Sequence, residues 1–212
     1  WFMTKDEMKK VVCQAIDKAA EKIHETVLRI ESEPELGYKE TKTSAKVESY
    51  MKELGLTPQT GLALTGVKTC VDGGKEGPAV AVLAELDAVG TPDSPKADPL
   101  TGAAHTCGHF LQMASMLAAC TGIVKSGVMR DLAGSAVFFA VPAEEYVEID
   151  YRKRLVKEGK IHFLGGKSEL VYEGHFDDID MAMMVHSETD APQPRAVVAG
   201  AAGGFIGKEL RF

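Results

Sequence analysis

Apolar residues recur at helical spacing through the first part of the chain, at Met8, Val11, Val12, Ala15, Ile16, Ala19, Ile23, Val27 and Ile30. That period predicts an amphipathic helix from Asp6 to about Ile30, with one face turned to a core. Glu33-Pro34-Glu35-Leu36-Gly37-Tyr38 reads as a turn. A second helix is expected from about Thr41 to Leu54, closed by Gly55 at its C-terminal cap. Beyond it the period shortens. Val67 to Val71 and Ala79 to Leu86 are apolar runs on either side of Gly73-Gly74-Lys75-Glu76-Gly77-Pro78, the pattern of two strands paired through a turn.

Residues 90–104, rich in Pro, Gly, Asp and Thr, form a loop longer than a simple connection needs, a length usually tied to function or mobility. A helix is expected to follow His109, carrying Leu111, Met113, Ala114, Met116, Leu117 and Ala118 to about Lys125. Gly134 to Val141 reads as a fully buried strand, and Met181 to Val185 as another short buried one. The stretch 147–173 between them is charged and predicted to be helical, with breaks at Gly159 and Gly165-Gly166. Continuous apolar strands alternating with helices place the chain in the α/β class, with a mostly parallel or mixed sheet covered on both faces.

Composition narrows the function classes. The 212 residues are 45% hydrophobic and 26% charged, which fits one globular domain with a core. A net charge of −7 without any Lys/Arg cluster excludes a nucleic-acid or anionic-membrane partner that works through a basic surface. No apolar stretch approaches the roughly 18 residues of a membrane span, and the N-terminus lacks the cationic start and apolar core of a secretory signal. The cysteines Cys13, Cys70, Cys107 and Cys120 form no C-x-x-C pair, as expected of a reduced, cytoplasmic protein. Cys13, Cys70 and Cys120 fall in predicted helices or strands and are expected to be small buried hydrophobes.

Chemistry gathers at the ends of the predicted strands, where open α/β sheets collect ligands. One strand runs into Asp87, another into Pro142-Ala143-Glu144-Glu145 and a third into His186, while His105-Thr106-Cys107-Gly108-His109 sits where the long loop enters a helix. Cys107 and His109 converge only in a loop or first turn, where a helix N-terminus favours thiolate and neutral imidazole. Such a C-x-H pair is equally compatible with a buried structural thiol. Successive side chains of an extended segment point opposite ways, so one of Glu144 and Glu145 could bind a metal while the other acts as a general base. A solvated acidic pair is the competing reading of these two residues, and a satisfied core histidine that of His186.

In this order, the segments PELGYKETKTSA, LAELDAV, HTCGHF, VPAEE and FDDIDMAMMVH resemble the N-acyl amino acid amidohydrolases, which include aminoacylase, hippurate hydrolase, auxin-conjugate hydrolase and p-aminobenzoyl-glutamate hydrolase and belong with the dinuclear zinc carboxypeptidases. The resemblance covers nearly the whole chain. It implies a three-layer α-β-α catalytic domain over residues 1–202, with residues 203–212 as the first strand of a lid and dimerisation domain that the sequence does not continue. It also implies a homodimer in the full-length form, two divalent metal ions (zinc, with manganese or cobalt as alternatives) and a small N-acylated amino acid or dipeptide-like substrate. Cys107 would bridge the metals, His109 and His186 would complete one site, and Glu145 would serve the other. Glu144 would be the general base, and Asp87 would orient a metal-binding histidine. Phe110 and Gln112 stand where many members have Asp and a second His, closer to the p-aminobenzoyl-glutamate branch, and Glu85 stands where carboxypeptidase relatives have a histidine ligand. The resemblance assigns no role to the charged stretch from Tyr146 to Leu170.

Two other readings remain at this point. The chain could be a metal-binding or interaction fragment without catalysis, or Cys107 could be a nucleophilic or redox thiol, although no second cysteine is placed to resolve its oxidised form.

Overall fold

The structure, a computed structural model, describes residues 3–187. The first helix, α1 (Lys5–Glu31), starts at a capping box in which the Glu7 amide donates to Thr4 Oγ1 and the Glu7 carboxylate accepts the Thr4 amide at 2.7 Å. It buries Ile23, Val27 and Ile30 near its C-terminal end. The second, α2 (Thr41–Glu53), takes its N-terminal satisfaction from outside the helix: Glu35 accepts the amides of Lys42 and Thr43 at 3.1 and 2.8 Å. Then come β1 (Gln59–Leu62), β2 (Gly66–Asp72), β3 (Lys75–Glu85), the two-residue β4 (Val89–Gly90) and β5 (Ala103–Ala104), α3 (His109–Ser126), β6 (Ala133–Val141), α4 (Ile149–Lys157), α5 (Gly166–Tyr172) and β7 (Met181–Met184). No helix among the described residues is long and apolar enough to cross a membrane.

The main sheet has the order β1-β2-β6-β3-β7. β1/β2 and β2/β6 are antiparallel, whereas β6/β3 and β3/β7 are parallel, so the sheet is mixed. The expected hairpin of β2 with β3 does not form, because β6 lies between them. The glycines that looked like its turn bond elsewhere: Gly73 and Gly74 donate to the carbonyls of Gly134 and Leu132, around the start of β6. The loop 90–104 closes on itself, with Val89 opposite Ala104 and Gly90 opposite Ala103.

Alternation along β6 shows how the layers assemble. Phe138 and Ala140 join one core with Ile30, Val47, Met51, Met113, Met116 and Leu117, contributed by α1, α2 and α3. Val137, Phe139 and Val141 face the other way and pack with Leu155, Ile161 and Leu170, carried by α4, α5 and their connection. Helices thus cover both faces, and each fully buried Phe of β6 contributes about 2–3 kcal/mol by leaving water. The stretch 147–173, predicted only as charged and helical, supplies the second covering layer.

Two burial expectations fail. β7 pairs with β3 along one side, yet Met181 and Met183 are 53% and 57% exposed, because among the described residues β7 ends the sheet. Cys13 and Cys70 are exposed and only Cys120 is buried, since the first two lie on solvent faces of their elements. The domain boundary at 202/203 and the expected strand over 203–212 lie outside the described residues.

Candidate metal centre

β3, β6 and β7 run parallel, so their carboxyl ends share one edge of the sheet. β3 delivers Glu85 and, two residues on, Asp87; β6 delivers Glu144 and Glu145 through Pro142-Ala143; β7 delivers His186. The start of α3 meets them there. Gly108, its N-cap, has φ +90°, and a Cβ on it would collide with Ser187 Oγ, so this junction between Cys107 and His109 requires glycine.

His109 is the hub. It is 1% exposed, and its Nδ1 lies 2.9 Å from the Asp87 main-chain oxygen. A carbonyl only accepts, so Nδ1 carries the proton, and the Asp87 carboxylate supports it from 3.3 Å. Nε2 therefore faces the cluster, 2.9 Å from Glu85, 3.9 Å from Glu144 and 3.8 Å from Glu145. The contact to Glu85 is close but not aligned, and this buried nitrogen makes no hydrogen bond. His186 donates Nδ1–H to the Ser187 carbonyl at 2.7 Å, which turns its Nε2 to Cys107 Sγ at 3.5 Å.

Glu144 and Glu145 do not diverge as an extended segment would require. Ala143 has φ +51°, which breaks the strand after Pro142 and brings both carboxylates to the same histidine nitrogen. The Glu145 amide donates to Asp87 Oδ2 at 2.9 Å, tying this turn to the end of β3. Beneath it, fully buried Glu40 accepts the Ala143 amide at 2.8 Å and the Thr65 hydroxyl at 2.7 Å.

The carboxylates that would help to hold a cation also favour the protonated forms of Cys107 and His109. Burial pushes the Cys107 thiol up to about 12, with a hydrogen bond to Glu145 and the charges of Glu145, Glu144 and Glu85 adding to it. Burial alone would lower His109, but its contacts with Asp87 and Glu85 raise it to about 10. Burial would likewise raise Glu85, yet His109 and Lys167 hold it at about 2. Glu144 is raised, first by burial and then by the charge of Glu85.

Sequence reasoning gave no role in the site to four residues that shape it, Glu85, Lys167, Gln112 and Glu40. Glu85 is 2% exposed and ion-paired to Lys167, while Gln112 donates to its side chain at 2.9 Å and accepts its amide at 3.0 Å. Glu85 was legible as an acid in an apolar strand and Gln112 as a departure from the resembled motif; Lys167 carried no local signal. Glu40 was visible only as part of a motif. A surface cavity of about 230 Å³ between α1 and α2 lies away from this cluster.

The donor set fits divalent metal. Ligand atoms of Cys107, His109 and His186 lie within 4.8 Å of one another, as do those of Glu85, His109 and Glu144. The unpartnered His109 Nε2 faces carboxylates whose charge Lys167 only partly offsets. Sulfur and imidazole nitrogen suit zinc or cobalt, and carboxylates also accept manganese.

No protein-family model matches the chain. It is 27% identical over 208 residues to YhaA of Bacillus subtilis, a protein assigned as an amidohydrolase, covering 94% of this chain and 48% of that one. It is 30% identical over 169 residues to thermostable carboxypeptidase 2 of Saccharolobus solfataricus, covering 77% and 38%. N-acetyl-L-cysteine deacetylase of Bacillus subtilis is 28% identical over 160 residues, covering 74% and 34%. The chain thus spans less than half the length of these relatives. In fold it is similar to the Bacillus subtilis protein YXEP, described as a dinuclear metal binding peptidase from the M20 family, with a TM-score of 0.63 at 22% identity over 81% of this chain and 44% of that one.

Proposed function

We propose that this chain, which is similar to amidohydrolases and carboxypeptidases, carries the hydrolytic centre of an enzyme that cleaves the amide bond of N-acyl amino acids or dipeptide-like substrates. The observation that carries this reading is the convergence of Cys107, His109 and His186 with Glu144 and Glu145 around one buried imidazole. Cys107, His109 and His186 would hold one divalent ion, and Cys107 with Glu145 would hold a second, zinc being the best match to thiolate and imidazole. When bound, the ions would polarise the scissile carbonyl and acidify the attacking water.

Glu144 does the proton work. Its raised affinity for a proton suits a general base: it takes a proton from water as the water oxygen attacks the amide carbon, then gives that proton to the departing amine nitrogen. Asp87 fixes the His109 tautomer through Nδ1, and Lys167 keeps the charge of Glu85 from accumulating beside Glu144. Four cysteines without a disulfide among them suit a reducing compartment, which favours the cytoplasm. The relative that deacetylates N-acetyl-L-cysteine makes N-acetyl amino acids the first substrates to try.

The experiment is release of free amino acid from N-acetyl and N-benzoyl amino acids by zinc- or manganese-loaded protein. Turnover that is lost on chelation and restored by metal is expected. Tight metal binding with no hydrolysis of any acyl amino acid would leave only a metal-binding fragment.

A further inference from the structure

Arg152, on α4, is fully buried and has no part in the chemistry above. Its Nη1 donates to the carbonyls of Ala143 at 3.4 Å and Leu164 at 2.7 Å, and its Nη2 donates to the carbonyl of Glu145. The rings of Tyr38 and Tyr146 lie 5.4 and 5.9 Å from its Cζ. Removing a guanidinium from water is costly, and one spent on backbone carbonyls fixes the peptides that carry them. Two of these carbonyls belong to the residues on either side of Glu144. The same turn has the left-handed Ala143, a conformation that persists only when its surroundings over-determine it. Glu40 holds the Ala143 amide, a Cβ on Gly37 would meet both Arg152 Nη2 and, at 2.9 Å, Ala143 Cα, and a Cβ on Gly166 would collide with the Pro142 carbonyl.

We propose that Arg152 is a positioning residue that locks the Ala143–Glu145 turn so that the carboxylates of Glu144 and Glu145 converge beside His109. The charged stretch 146–170 thereby acquires a purpose beyond covering the sheet. A lysine keeps the charge but cannot span three carbonyls, because the fork of donors is what the site uses. The inference rests on the metal-site reading of Glu145 given above.

Cobalt titration of the whole chain, followed by its visible spectrum, tests it with Arg152→Lys, Gly37→Ala, Glu145→Gln and Val47→Ala. Val47→Ala removes a buried side chain on the opposite face of the sheet and controls for loss of stability alone. Arg152→Lys and Gly37→Ala are expected to weaken binding of the second cobalt ion, the one Glu145 would serve, about tenfold or more and to alter its ligand-field bands, while Val47→Ala changes neither. Folded Arg152→Lys that binds no more weakly than Val47→Ala would overturn the proposal. If Glu145→Gln weakens binding and Arg152→Lys does not, the positioning role alone fails. If Glu145→Gln has no effect, the site reading fails and this inference falls with it. Should neither Arg152→Lys nor Gly37→Ala fold, amide exchange in the unmutated chain decides: protection of the Ala143 and Glu145 amides like that of β6 supports a locked turn, and exchange as fast as in residues 92–101 refutes it.

Discussion

His109 Nδ1 lies 2.9 Å from the main-chain oxygen of Asp87 and 3.3 Å from its carboxylate, so one residue fixes the tautomer of the imidazole on which every other group of the site converges. The carboxylate does a second task, accepting the Glu145 amide. Asp87→Ala should therefore lower zinc affinity about 10–100-fold, the usual effect of removing the group that orients a ligand. Calorimetric titration of metal-free protein checks this, and unchanged affinity would show that the main-chain oxygen suffices.

Glu144 and Glu145 lie at nearly equal distances from His109 Nε2 but differ in role in the proposed mechanism. Glu144→Gln should lower kcat by about 10²–10⁴ while leaving metal content nearly intact. Glu145→Gln should lose metal first. Metal analysis beside steady-state kinetics separates them, and equal metal loss in both variants would undo the assignment.

Among the described residues, Cys107, His109 and His186 form one three-donor set, and three protein ligands with water satisfy tetrahedral zinc. One tight zinc equivalent is expected for this chain, with a second held weakly. Cys107→Ser and His186→Ala should each abolish the tight equivalent in a calorimetric titration. Its survival in both would contradict the site.

Burial, with the charge of Asp87 adding to it, raises Glu40 to about 7 from an ordinary 4.5. The folded state therefore binds this proton more tightly than the unfolded chain, and the associated stability, about 3 kcal/mol at most, is complete below 4.5 and lost as pH rises through 7. A glutamine can still accept the Ala143 amide and can donate to Thr65. Thermal melts of Glu40→Gln should therefore lose this decline and exceed the unmutated protein at neutral pH. Parallel pH profiles for the two proteins would refute the prediction.

The local periods of the sequence determined α1, α2, α3 and β6, because which face of a helix or strand is apolar is written within a few turns of chain. They also determined that Asp87, the Glu144-Glu145 pair and His186 follow strands, which sufficed to gather them at one sheet edge once the strands ran parallel. Pairing partners were not legible. β2 and β3 flank a glycine-rich turn that invites a hairpin, and only the apolar faces of the far-off β6, buried on both sides, explain why it enters between them. Nor could local pattern show that Glu144 and Glu145 converge, since that depends on a left-handed Ala143 held by Glu40 from a distant segment and by Arg152 on the next helix. The same holds for Lys167 on Glu85 and for the exposure of β7. Whether a charge is buried, and against what, is decided by groups far away in sequence, and only the tertiary structure brings them together.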